Sequence, residues 1–284
     1  MKIVISESQY KRLIESKEEQ KVLYIPSLKF FGDNWYILQE YLKEVGDPPY
    51  SISGDLDLEE KPVKSLGNLQ SVGGDLYLQG TQIKSLGNLQ TVGGRLYLFD
   101  TPIKSLGNLK SVGGDLDLEE TPIKSLGNLQ SVGGYLNLRG TPIKSLGNLT
   151  SVGGHLILDD TSIKSLRNLQ SVGGILYIPG TKIDSLGNLK SVGKDLSLQG
   201  SEIQSLGNLT TVGENLNLRY SPIKSLGNLK TVGGNLDLQG TQIKSLGNLQ
   251  TVGGRLDLRE TPLSKMYNEK QIHKMVNVVG NIYL

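Results

Sequence analysis

The chain has 284 residues, of which 37% are hydrophobic and none is alanine or cysteine, and its formal charge is +2. A length of this order fits one large domain or two small ones. The missing alanine argues against a mainly helical body, the missing cysteine excludes disulfides and thiolate metal sites, and the near-neutral balance gives no global field that would draw nucleic acid or a membrane.

In chain order, the opening MKIVISESQYKRLIESK has no long apolar stretch of the secretory type. Ser6 with Gln9 reads as a capping box for a helix near 7–18. VLYI at 22–25 predicts a short strand. A helix is predicted over 34–45, with Trp35, Leu38, Leu42 and Val45 at helical spacing and a stop at Gly46 before Pro48 and Pro49. The aromatic cluster Phe30, Phe31, Trp35 and Tyr36 is expected to form the core of this cap, at 1–50.

From residue 51 to 264 one twenty-residue unit recurs, as in SLGNLQSVGGDLYLQGTQIK at 65–84. Leu76 and Leu78 alternate with Asp75 and Tyr77, which is strand periodicity with one face buried. Leu66, Leu69, Val72, Leu76, Leu78 and Ile83 cannot all be buried by a single unit. Stacking against identical neighbours buries them. Eleven such strands begin from Asp55 to Arg255, and Asn281 to Leu284 would make a twelfth. Gly73 recurs in all ten copies, which marks a place where a side chain is not tolerated. Gly74 is replaced by Lys194 and Glu214, so its position is less demanding. Columns of Thr or Ser (Thr81 and equivalents) and of Asn (Asn68 and equivalents) offer side chains that could bond the backbone of adjacent coils. Beyond Pro262 the repeat breaks. A helix is predicted over 266–276 with Met266, Ile272, Met275 and Val276 as its apolar set, after which VGNIYL resumes the strand motif.

The segment GxxLxLxxTxI, from Gly73 to Ile83, resembles the LxxLxLxxNxL core of leucine-rich repeats, with Gly for the first Leu and Thr or Ser for the Asn. This swap resembles short bacterial and phage repeats. The resemblance covers roughly residues 51 to 284. It implies a right-handed solenoid of 11–12 strands with a parallel sheet on its concave face, extended or 3₁₀ turns on the other side, and a binding architecture. The opening IVISESQYKRLIE resembles the starts of tailed-phage proteins.

The letters that change between copies fall on the outward strand positions and the two that follow. Tyr77, Tyr97 and Phe99 are expected to form one exposed aromatic patch beside Arg95. Tyr135, His155, Ile157, Ile175 and Tyr177 lie in the region of a second. Exposed Tyr with Arg is the chemistry of protein recognition; cross-strand stacking that only steadies the sheet is the alternative. The acidic groups Asp55/Asp57/Glu59/Glu60 and Asp115/Asp117/Glu119/Glu120 invite a calcium reading but follow no known calcium-loop spacing, and they read as a solvated face. Lys64, Lys84 and their equivalents form a row, interrupted by Asp184 and Gln204, that reads as a solubilising rim rather than a polyanion site. His155 and His273 have no triad or metal constellation around them. The expectation is therefore a soluble, cytoplasmic or virion-borne, non-enzymatic scaffold without cofactor. It binds a protein partner on the concave face, or associates with itself through an edge at Asn281, Ile282, Tyr283 and Leu284.

Overall fold

The computed structural model describes residues 22–178 and 182–284. The helix predicted near 7–18 and the phage-like opening segment lie outside the described residues.

Each LxL unit forms a two-residue strand with its leucines inward. Twelve of these, from Leu56–Asp57 through Leu76–Tyr77 to Ile282–Tyr283, stack in one parallel sheet. The register advances by whole repeats, Leu76 opposite Leu96 and Tyr77 opposite Tyr97. A second parallel sheet of thirteen strands stands where turns were expected. It runs from Leu23–Ile25 and Tyr50–Ile52 through Leu69–Val72 and the Ser/Thr–Val pairs to Asn277–Val278. Its cause is the Val72 column, which points into the core while Ser71, Thr91 and their equivalents face out. A third line of contact comes from isolated bridges such as Ser85 with Ser105. The result is a parallel β-solenoid whose coils close around a leucine, isoleucine and valine core. In the coil quoted above, the six apolar residues are at most 2% exposed; each such side chain contributes about 1.5–3 kcal/mol when fully buried.

The turns between strands are set by local chemistry. A Cβ on Gly93, Gly113 or Gly133 would overlap the carbonyl oxygen of the glycine one coil earlier, so the column is fixed by close backbone approach. Ser65 and its equivalents accept a hydrogen bond from the N–H two residues on (Gly67 N to Ser65 Oγ, 3.0 Å). The Thr column acts within its own coil, not between coils: Thr81 Oγ1 donates to the Leu78 carbonyl at 2.6 Å. Ser201 and Ser221, lacking the methyl that restricts rotation, have hydroxyls that are buried without a partner. The Asn column does link coils, as in Asn88 Nδ2 to Asn68 Oδ1 at 3.1 Å.

The predicted strand at 22–25 is present as Leu23–Ile25 and the predicted helix as α1, Trp35–Glu44. The Asn34 side chain caps α1 by accepting from Tyr36 and Ile37 N–H. Trp35, Leu38 and Leu42 are buried against the first coil, whereas Val45 is exposed. The aromatic cluster divides: Phe31 and Trp35 are core, and Phe30 and Tyr36 face solvent. At the other end the single predicted helix is two, α2 at Pro262–Met266 and α3 at Glu269–Met275. Asn268 interrupts it by forming a capping box with Gln271. Ile272 and Val276 are buried, but Met266 and Met275 are exposed. VGNIYL does resume the motif, with Leu256 opposite Ile282 and Asp257 opposite Tyr283.

Candidate recognition surface

The outward side of the LxL sheet carries three variable columns, and the structure separates their duties. In the first column most side chains serve the next coil. Asp55 Oδ1 accepts from Asp75 N–H (2.8 Å), Asp75 from Arg95 N–H (2.7 Å) and Asp115 from Tyr135 N–H (2.8 Å). Asp195, Asn215 and Asn235 do the same further along. His155 belongs to this set: its Nδ1 accepts from Ile175 N–H at 2.8 Å, so the imidazole is part of the scaffold. Arg95, Tyr135, Ile175 and, towards the other end, Arg255 provide no such acceptor. At these four coils the column has given up a scaffold bond for a cationic or apolar surface group.

In the second column, Tyr77 and Tyr97 are in register and stacked, ring centroids 5.3 Å apart and 14° from parallel. Arg95 Nη1 donates to Tyr97 Oη at 3.2 Å and Tyr77 Oη donates to Asp75 at 3.1 Å. Arg95 also pairs with Asp115 at 4.0 Å. Three coils beyond Tyr97, Ile157 lies opposite both Asn137 and Tyr177, and Tyr177 is 42% exposed. The two patches are separated by a polar network. Asn137 Nδ2 donates to Glu119 at 2.9 Å, and Arg139 contacts Glu119 at 3.8 Å and Asp159 at 3.3 Å. Tyr135 stands beside this network. Burial first, and then the carboxylates of Asp117, Glu119, Asp159 and Asp115, push its phenol up to about 12. Burial likewise raises Asp117 above the usual carboxylate range.

The third column is not on the strand but in the turn after it, and Phe99 is an exposed turn residue. The following turn position is left-handed in every described coil, filled by Gly, Asp or Glu and once by a bulky side chain, Tyr220, at φ 57°. Sequence reasoning passed over Tyr220. It is 53% exposed, and Arg219 lies over its ring at 5.0 Å and donates to its hydroxyl at 3.3 Å. Its signal in the sequence is a Tyr where other copies have Gly, Asp or Glu. Along the last strand, Asn281, Tyr283 and Leu284 are exposed and Ile282 is half-buried. Arg259 lies over the Tyr283 ring at 5.6 Å.

Among the described residues, no group of three or more His, Cys, Asp or Glu side chains is arranged to hold a metal ion. No described helix is long and apolar enough to cross a membrane. The lysine row is exposed in every coil that carries it, and Lys64, Gln82, Lys84 and Pro102 line an open concavity of about 420 Å³ there. No protein-family model matches the chain, and no curated protein matches it.

Proposed function

We propose that the chain is a non-enzymatic scaffold that captures a protein partner on the outward face of its LxL sheet, between Tyr77 and Tyr177. The observation that carries this reading is the change of duty in the first column. A coil gains stability by donating to an Asp, Asn or His of the coil before it. Arg95, Tyr135 and Ile175 forgo that bond in three of five successive coils, whereas Arg255 does so alone near the other end. What the three add lies beside Tyr97, Phe99, Ile157 and Tyr177, and so groups aromatic, aliphatic and guanidinium chemistry suited to protein contacts. The sheet is held by its ladders before any partner arrives, so little ordering is needed on binding. The leucine-rich-repeat resemblance supports the same reading, because that architecture presents a variable sheet face.

Selection from a random peptide display library tests this. Binders selected on the native chain should lose about tenfold or more in affinity for the Tyr97→Ala, Tyr177→Ala double variant, with its far-ultraviolet dichroism unchanged. Binders that do not distinguish the two chains would overturn the proposal.

A further inference from the structure

The near-neutral total charge conceals a segregated one. Over residues 55–160, the outward strand positions and the two turn positions after them hold twelve carboxylates against two guanidinium groups, Arg95 and Arg139. The same positions over 195–260 hold four carboxylates against three guanidinium groups. The acidic half is also the half that carries Tyr77, Tyr97, Phe99 and Tyr135.

The scaffold does not require this charge. Asp55, Asp75 and Asp115 accept the next coil's N–H at 2.7–2.8 Å, and Asn215 and Asn235 accept it equally well at 2.8 Å. In the second column Asp117 Oδ1 accepts from Glu119 N–H at 3.1 Å, and Asn217 makes the same turn bond to Arg219 N–H at 3.0 Å. A neutral amide therefore makes the same backbone bonds in these two columns, where the like charges of the acidic half repel one another. Among the described residues, only Arg95 and Arg139 form ion pairs with this group of carboxylates, at 3.3–4.0 Å.

From this, and resting on the binding role proposed above, we infer that the partner presents a basic segment, rich in Arg or Lys, to the face between Asp55 and Asp160. Carboxylates take its charges, and the Tyr77–Tyr97 stack and Tyr135 offer ring faces to guanidinium groups and aliphatic stems. Complementary charge of this extent steers encounter and excludes acidic competitors.

The test uses the full chain and three fluorescent peptide sets of equal length, in which Leu and Tyr alternate with Arg/Lys, with Glu/Asp or with Ser/Gln. Anisotropy should show binding of the basic set only, weakening steeply as salt rises from about 0.05 to 0.5 M. The combined Asp55→Asn, Asp75→Asn, Asp115→Asn, Asp117→Asn variant keeps the oxygen that accepts each backbone N–H, while giving up the Tyr77–Asp75 hydroxyl bond and the exposed Arg95–Asp115 pair; it should unfold within a few degrees of the native chain, yet lose about tenfold or more in affinity. Tyr77→Ala with Tyr97→Ala should produce a comparable loss. Preference for the acidic or neutral set, or for no set, overturns the inference. So does basic-peptide binding that ignores the tyrosine variants, which would be unspecific charge attraction. Peptides of the neutral set that bind, are lost with the Tyr97→Ala, Tyr177→Ala variant and ignore the Asp→Asn variant would overturn the basic partner while leaving the recognition face itself standing.

Discussion

A methyl group placed on Gly133 has nowhere to go: it would overlap the Gly113 carbonyl oxygen and sit 2.9 Å from its carbon, and that carbonyl belongs to a backbone held from both sides. Gly133→Ala should cost about 2–3 kcal/mol, read as a lower midpoint in urea. Lys194→Ala, in the neighbouring column at a coil where a side chain already stands, should cost under about 1 kcal/mol. Equal costs would contradict the steric account. This constraint was legible in the sequence, because ten copies facing identical neighbours repeat one steric prohibition ten times. The Thr column was legible as a structural column but not in its bonding. Carbonyls of its own coil and of the next both lie near Thr81 in any stacked arrangement, and only the coordinates show that the hydroxyl reaches back to Leu78. His155 reads from the sequence as a surface group for the same reason: nothing in the letter H tells that its Nδ1 replaces an Asp oxygen in a ladder.

Among the elements, the joint between α1 and the first coil rests on Tyr50, which is fully buried. Its hydroxyl donates to the Leu66 carbonyl at 2.7 Å and accepts from Gln39 Nε2 at 3.1 Å. Tyr50→Phe should destabilise the chain by about 1–2 kcal/mol. Burial raises the Tyr50 phenol well above its ordinary value of 10.0, the Gln39 bond opposing and Asp47 adding to the shift, and Tyr135 rises to about 12. The folded chain therefore keeps protons that the unfolded chain releases near pH 10. This contribution is complete below pH 10 and is lost as pH rises through the folded values. Urea midpoints should fall between neutral pH and pH values above 10, and less so in Tyr50→Phe; an equally steep fall in the variant would assign the loss to other groups. The LxL strands were legible from their alternation. The thirteen-stranded sheet was not, because a Ser–Val pair is too short to show a period. It becomes a strand only through lateral pairing with its copies.

At the scale of the whole molecule, each coil touches little beyond its two neighbours, so stability is close to a sum over repeats. Excising residues 113–132 joins Val112 to Gly133 and restores the unit's wording. This shortened chain should fold with parallel-sheet dichroism and melt within a few degrees of the native chain. It also loses one of the two most acidic coils of the outward face, Asp115 to Glu120, and should bind the basic peptides less well. Removing ten residues instead breaks the register and should abolish cooperative melting; a folded product would show that stacking does not depend on the twenty-residue period. The segregation of charge was invisible in a net count of +2, because a sum over the chain cancels a face against a rim. It emerges once residues are grouped by column, and grouping by column requires the fold.

The chain has a single tryptophan, Trp35, and it is 3% exposed within the cap. Its emission therefore reports on one end of the molecule, while backbone dichroism averages over two long sheets. An unfolding curve followed by tryptophan fluorescence is the melting curve of the cap, and the two optical signals together measure whether that cap and the solenoid come apart as one body or in sequence.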